Sequence, residues 1–476
     1  MKTKFIQMEN KRLFSEFQPV SSKQWKQQIQ FDLKGADYNQ ALVWESAEGV
    51  KVKPFYNSDD TAHLNFEVKT KTSDFKILQN IFVHDVIKSN LRAKDVLKRG
   101  ADSIVFIIEN DAVDVSVLMK NLPLQNTLYY FNLQFISIDF VSKIIDFSKQ
   151  NQTHFCIQID PIHQFISRGN SLKSVQDDLA LLKTFHGLIA DFELNKSSNV
   201  SLKPCSGLYC NAKIYQNAGA NIVQQLAFTV AHLNEYFNCI TTTTNTVIIE
   251  IAVGGNYFFE IAKIRALLLL FHSLASQYHP DFKCHIVAIP SKRNKTIYDY
   301  NTNMLRTTTE CMSAILGGAD AISNLSYDHI YHKDNEFGDR IARNQLLILK
   351  QESYFDKVDN PSDGTYYIES LTHQLAEKAL ALFKEIEDKG GFLEQFVKGN
   401  IQNKINESAQ KEQQLFDTGK EILVGTNKHP NKNDRMKGDL QLFPFQKQKP
   451  QKTATIAIIE KRWAEFSEQE RLKLED

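Results

Sequence analysis

The residues able to do chemistry in this 476-residue chain are few and scattered. Cys156, Cys205, Cys210, Cys239, Cys284 and Cys311 are spread out, and none forms a C-x-x-C pair. Most stand in apolar, strand-like runs (FCIQID, GLYC, KCHIVAI), which reads as buried, reduced thiols of a cytosolic protein. His154, His163, His285 and His429 lack metal-ligand spacing and are expected to bind no ion. Lys213 ends a strand-like run; it would offer a catalytic amine if left free, and otherwise a solvated or paired charge. Arg265, in AKIRAL, suits a phosphate, but on a helix it reads first as a structural ion pair. Lys292-Arg293 is a short basic pair in a strand-to-helix loop, expected to be exposed. No G-x-G-x-x-G or G-x-x-x-x-G-K-[ST] follows any strand-like run, so dinucleotide and P-loop chemistry lose their main support.

The elements that must position these groups alternate. Apolar runs recur at 80–85, 103–108, 134–139, 155–160, 207–213, 246–253, 284–290 and 320–325. Both faces of each run are apolar, as in strands buried between a core and covering helices. Helix-period segments lie between them, for example Tyr257–Tyr278. Alternating strands and helices demand parallel pairing with crossovers, and eight runs favour a (β/α)₈ TIM-type barrel of the α/β class. Before the barrel, residues 1–60 form an arm. Ser21 or Ser22 can cap a helix over Lys23–Leu33, and Leu42–Tyr56 reads as a strand pair turning at Glu48-Gly49. The barrel is expected over 61–400, and a C-terminal helix with a linker tail over 401–476. In the post-barrel helix, Leu375, Ala379, Leu382, Phe383 and Ile386 share a face, and Gly390-Gly391 stops it. The polar stretch from His429 to about Thr455 reads as a wrapping linker, with a last helix over Glu460–Leu474.

Composition narrows the function classes. Lys+Arg and Asp+Glu number 56 each, so no basic excess points to nucleic acid. Hydrophobic residues make up 42%, enough for a large core. MKTKFIQMENKRLF lacks the apolar core of a secretory signal, and no apolar run is long enough to span a bilayer, so a cytoplasmic location is expected.

Several blocks, in order, resemble the barrel domain of the methylmalonyl-CoA mutase family. They are DLKGADY…LVWESAEGVKVKPFYNSDD (32–60), QNAGANIVQQLAFTVAHLNEYF (216–237), GGNYFFEIAKIRALLLLF (254–271), DYNTNMLRTTTECMSAILGGADAISNLSYD (299–328), GDRIARNQLLILKQESYFDKVDNPSDGTYYIE (338–369) and GKEILVGTNKH (419–429). The likeness covers roughly 20–430 and is poorest over about 61–200. It implies a barrel that threads an acyl-CoA along its axis, with adenosylcobalamin across the C-terminal face. The cofactor starts a radical 1,2-shift between succinyl-CoA and methylmalonyl-CoA.

Measured against that family, the polar groups are gone. Lys213 and Ile214 stand where active members carry a Tyr-His pair, and isoleucine can donate neither a hydrogen bond nor a proton. Val287 to Asn294 replaces the family's His-x-Gln-Thr-Ser-Gly-Trp-Ser run and keeps only Ser291, with Val287 and Ile289 at the two polar positions. Ser323-Asn324-Leu325 replaces His-Thr-Asn. The arm's Tyr-Ala-Gly-Phe-Ser-Thr motif is absent after Tyr56. No D-x-H-x-x-G cobalamin loop occurs, Asp160-Pro161-Ile162-His163 having the wrong spacing, and only 47 residues follow His429. What matches is scaffold: Ala218-Gly219-Ala220, Arg306, Arg340, Arg343, Asn344 and the turn Asp359–Gly364. The resemblance therefore implies the small, non-catalytic subunit of a heterodimeric mutase, with no catalytic, cofactor-binding or metal residue of its own and Arg265 as its sole substrate-binding candidate. The large (alpha) catalytic subunit would be its partner, would bind the adenosylcobalamin of the complex, and would be wrapped by the arm. Two rivals are the substrate-binding subunit of a split acyl-CoA mutase with a separate cobalamin-binding chain, and a non-enzymatic interaction scaffold.

Overall fold

The computed structural model describes residues 15–64, 68–125, 127–153, 155–171, 174–194, 208–240, 246–446 and 453–475. The chain forms two compact units, Met1–Asn65 and Phe66–Asp476. In the first, the helix Ser22–Asp32 starts at Ser21. The Ser21 hydroxyl accepts from the Gln24 N–H and the Gln24 side chain reaches back to the Ser21 N–H, a reciprocal cap. This helix buries no residue, and Trp25 and Phe31 are exposed. Trp44–Glu45 pairs antiparallel with Lys51–Val52, as the alternation predicts.

The second unit is an eight-stranded parallel barrel. Its strands are β1 (Lys76–Phe82), β2 (Ser103–Ile108), β3 (Leu128–Leu133), β4 (Phe155–Gln158), β5 (Leu208–Asn211), β6 (Thr246–Val253), β7 (Lys283–Pro290) and β8 (Ala321–Ile322). They pair in the order β4-β3-β2-β1-β8-β7-β6-β5. Covering helices are α1 (Val86–Lys98), α2 (Ile138–Asn151), α3 (Pro161–Arg168), α4 (Val175–Leu194), α5 (Lys213–Asn217), α6 (Ile222–Cys239), α7 (Tyr257–Ala275), α8 (Thr302–Gly317) and α9 (Glu336–Leu347). After the barrel come α10 (Tyr366–Asp388), α11 (Phe392–Val397), α12 (Asn400–Asp417) and α13 (Glu465–Lys473). α10 packs along α6 and α7, burying Leu375, Ala379 and Ile386. No helix among the described residues is long and apolar enough to cross a membrane.

Three sequence expectations shift. The first strand lies earlier than 80–85, because Asp85 caps α1 by accepting from the Lys88 N–H at 3.0 Å. The run at 134–139 is no strand. Ser137 there accepts from the Phe140 N–H and starts α2, while the aromatic-rich LYYFNL just before it forms β3. The last helix begins at Glu465, leaving 460–464 outside it. One cysteine also departs from the reduced-thiol expectation: Cys156 is disulfide-bonded, whereas Cys210, Cys239, Cys284 and Cys311 are free. Spacing along the chain does not tell which segments a barrel brings together. Cys205 and His154 lie outside the described residues.

One layer of the barrel axis is complete. Each strand contributes one residue to it: Leu78, Val105, Tyr130, Cys156, Tyr209, Ile248, Val287 and Ala321, all at most 6% exposed. They pack against one another across the lumen, so this level is a solid core and not a passage.

Burial also sets a pH limit. Burial pushes the His186 imidazole on α4 down to about 3 and the His329 imidazole down to about 4, with Lys292 adding to the latter. Both rings are therefore neutral in the fold but take up protons near 6.5 once unfolded. The unfolded chain binds more protons below that pH, so stability falls as pH drops from about 6.5 toward 4. We expect the urea midpoint to decline between pH 7 and pH 5 and the His186→Leu variant to show a shallower decline. Equal slopes would contradict this assignment.

Candidate functional site at the barrel mouth

Above the apolar layer, the strands' C-terminal ends carry a short polar chain. On β3, the Asn132 amide donates to Gln158 of β4 at 3.0 Å and approaches the Tyr209 hydroxyl at 3.4 Å. Tyr209 of β5 in turn donates to Glu250 of β6. Burial, the Glu250 charge and this hydrogen bond all push the Tyr209 phenol well above its usual value, so it stays protonated. Lys213 at the start of α5 donates to the other Glu250 oxygen at 2.7 Å. Lys213 is thus neutralised by a buried carboxylate, and the catalytic-amine reading loses its free amine.

The positions at which the resemblance implies polar groups are apolar and packed. Ile214 on α5 is 2% exposed, Val287 belongs to the central layer, and Ile289 lies two residues on along the same face of β7. Ser291 is buried and donates to the Asn217 side chain at 3.0 Å. The basic pair splits: Lys292 is half-buried and faces Glu460 at 3.4 Å. Arg293 differs from the expected exposed residue. It is 5% exposed, bonded to Glu412 of α12 and to the Lys461 carbonyl at 2.7 Å. It clamps the post-barrel segments to the β7 loop and is not available to a ligand.

Arg265 is also enclosed. It lies in the middle of α7, fully buried, with its guanidinium bonded to Asp363 and Glu369. Asp363 is held in turn by the Thr70 N–H and hydroxyl, and Glu369 by the Gly364 N–H at 2.8 Å. The side chain ties α7, the start of α10 and the segment before β1 together, and no face is left for a phosphate. As a substrate-binding candidate it therefore gives way to a structural ion pair.

The histidines fill structural roles. His285 hydrogen-bonds the Tyr130 hydroxyl at 2.8 Å, and His163 lies 3.1 Å from the Asn211 carbonyl. His429 sits in a turn at φ +52°. Among the described residues one group has metal-like proximity, Asp160, Cys210 and His232, which sequence spacing did not reveal. Its carboxylate already accepts four hydrogen bonds. Asp160 Oδ1 accepts from the His163 N–H (2.7 Å), the Tyr236 hydroxyl (2.5 Å) and His232 Nε2 (3.1 Å), and Oδ2 accepts from the Asn211 N–H (2.6 Å). Burial works to raise its pKa, but His232, His163 and these donors together hold it below the ordinary carboxylate value. The cluster acts as a hydrogen-bonded brace, with three donors on Oδ1 and one on Oδ2.

Among the described residues, the lumen is filled by side chains at the level of the central layer, and Lys213 at the mouth is paired with Glu250.

The sequence pattern of the methylmalonyl-CoA mutase family matches residues 110–474. The match runs through the C-terminal tail, beyond the 430 at which the blocks of likeness end. The methylmalonyl-CoA mutase small subunit of Porphyromonas gingivalis is 34% identical over 461 residues, covering 89% of this chain and 72% of its own. The methylmalonyl-CoA mutases of Rhizobium meliloti and Mus musculus are each 27% identical, covering 85% and 88% of this chain. This chain spans only 63% and 62% of their lengths.

The Arg265 assignment is open to measurement. Removing one partner of a buried ion pair costs about 3–5 kcal/mol. Arg265→Met is expected to lose stability on that scale in a urea titration while keeping its far-ultraviolet spectrum. A loss below about 1 kcal/mol, the range of exposed pairs, would show that the guanidinium is not buried against its carboxylates.

Proposed function

Because the chain belongs to the methylmalonyl-CoA mutase family, we propose that it is the small, non-catalytic subunit of a heterodimeric, adenosylcobalamin-dependent methylmalonyl-CoA mutase acting in the cytoplasm. In this reading the large subunit binds the cofactor and interconverts succinyl-CoA and methylmalonyl-CoA. The present chain stabilises it. The supporting observation is the solid layer from Leu78 to Ala321, which leaves no axial passage for an acyl-CoA at that level. Threading a substrate there would require expelling Tyr130 and Tyr209, two of the largest side chains in the layer, each worth several kcal/mol of packing.

The residues of the mouth then act on the fold alone. Glu250 neutralises Lys213 and accepts from Tyr209, so no acid or base is left poised. Ile214 and Ile289 exclude water where a proton donor would need it. The helix Ser22–Asp32, with no buried residue of its own and Trp25 and Phe31 exposed, suits an arm that gains its apolar contacts from a partner chain.

The split-mutase alternative makes an opposite demand, since it needs this barrel to hold substrate. The purified chain, alone or with a separate cobalamin-domain protein and adenosylcobalamin, is expected to give no turnover of succinyl-CoA or methylmalonyl-CoA. Mixed with the large subunit, it should elute as a stable complex, and deletion of residues 1–60 should weaken that complex at least tenfold. Turnover without the large subunit, or elution of the two chains apart, would overturn the proposal.

A further inference from the structure

Among the described residues, no strand ladder closes this barrel. β4 and β5 are the two ends of the strand order, and among the described residues no backbone hydrogen bond joins them. Side chains bridge the gap instead. The Asn211 N–H of β5 donates to Asp160, just past β4, at 2.6 Å, and the Asn211 carbonyl meets His163 at 3.1 Å.

A second element crosses the same junction along the C-terminal rim. On the β4 side, the Ala454 N–H donates to Asn170 at 2.8 Å, the Thr455 N–H to the Gly169 carbonyl at 3.1 Å and the Ile458 N–H to the Ile166 carbonyl at 2.8 Å. Gly169 ends α3 at φ +72°, and a Cβ there would stand 2.4 Å from the Thr455 carbonyl oxygen, so only glycine allows this approach. On the β5 side, the Lys461 N–H donates to the Asn217 carbonyl at 3.0 Å, and the Asn217 amide donates to Glu460 at 2.9 Å. The Trp463 N–H then reaches the Arg293 carbonyl at 3.0 Å, past β7. Ile458 is 4% exposed, so the crossing segment buries apolar surface as well as backbone. Burial would raise the Glu460 carboxyl, yet Lys292, the Asn217 hydrogen bond, Lys213 and His163 together hold it low and charged.

We propose that residues 453–463 form a strap that closes the barrel at the β4/β5 junction, with Glu460 as the positioning residue that pins it. The strap supplies, from the far end of the chain, the cross-junction bonds that a strand ladder would otherwise supply. It links α3, which follows β4, to α5, which follows β5, so the two strand ends cannot part without breaking it. The inference stands apart from the subunit role proposed above, and its test needs no partner chain.

Hydrogen–deuterium exchange of the full chain reads it directly. In Glu460→Ala, amides of β4 (155–158) and β5 (208–211) are expected to exchange about tenfold faster, while those of β2 (103–108) keep their rate. Should the alanine variant not fold, Glu460→Gln carries the same readout. It loses the charge facing Lys292 but keeps a carbonyl for Asn217. Faster exchange confined to 453–463, or an equal rise in β2, would overturn the strap.

Discussion

A parallel sheet curled into a barrel must fill its own axis, and most of what distinguishes this protein follows from how it does so. Eight strands enclose a lumen that is either packed by side chains or kept open for a ligand. Here the choice falls to Tyr130 and Tyr209, which reach into the layer from β3 and β5 and leave the smaller Cys156, Val287 and Ala321 to fit around them. Each hydroxyl must then find a partner, because a buried phenol without one is costly. Tyr130 finds His285 and Tyr209 finds Glu250. Glu250, buried and charged, requires a cation, and Lys213 provides it. The polar chain at the mouth is thus a consequence of packing tyrosines in the axis. It resembles a reactive constellation but is a set of satisfied obligations.

The same logic governs the rim. Among the described residues β4 and β5 share no ladder, and buried charges brace the rim: Asp160 between His163, His232 and Tyr236 beside that junction, and Arg293 between Glu412 and the Lys461 carbonyl past β7. Further along, Arg462 pairs with Glu468 at 2.7 Å, and both side chains are at most 5% exposed. Buried ion pairs add little net stability over apolar packing, but they accept only one arrangement of their partners. That property suits a tail that must seat in a single register on a set of loops.

Much of this architecture was legible in the residues. Seven of the eight apolar runs, the capped arm helix and the stop at Gly390-Gly391 rest on local rules, and local rules suffice for them. The false strand at 134–139 shows where they fail. Its apolar content fits a strand, and only the Ser137 cap and the aromatic run immediately upstream decide otherwise. Arg265 could be read as a phosphate ligand or an ion pair because its partners, Asp363 and Glu369, lie about a hundred positions away. Asp160 with His232 is a contact of the same kind. Such contacts depend on which elements become neighbours, and no spacing encodes that.

The substitutions at the mouth also have an energetic direction. A barrel that binds substrate and cofactor keeps polar groups facing a cavity, and each is a cost to folding that catalysis justifies. Replacing such groups by Ile214, Val287 and Ile289 removes that cost, and the tyrosines fill the space that remains. Relaxed in this way, a scaffold loses any pressure to stay open and gains a rigid core. The arm is where the exchange does not apply. Its helix is left with Trp25 and Phe31 in solvent, and such surface persists in a folded protein chiefly where another body covers it. The barrel is thus filled by its own side chains at the central layer, while the arm helix keeps Trp25 and Phe31 exposed.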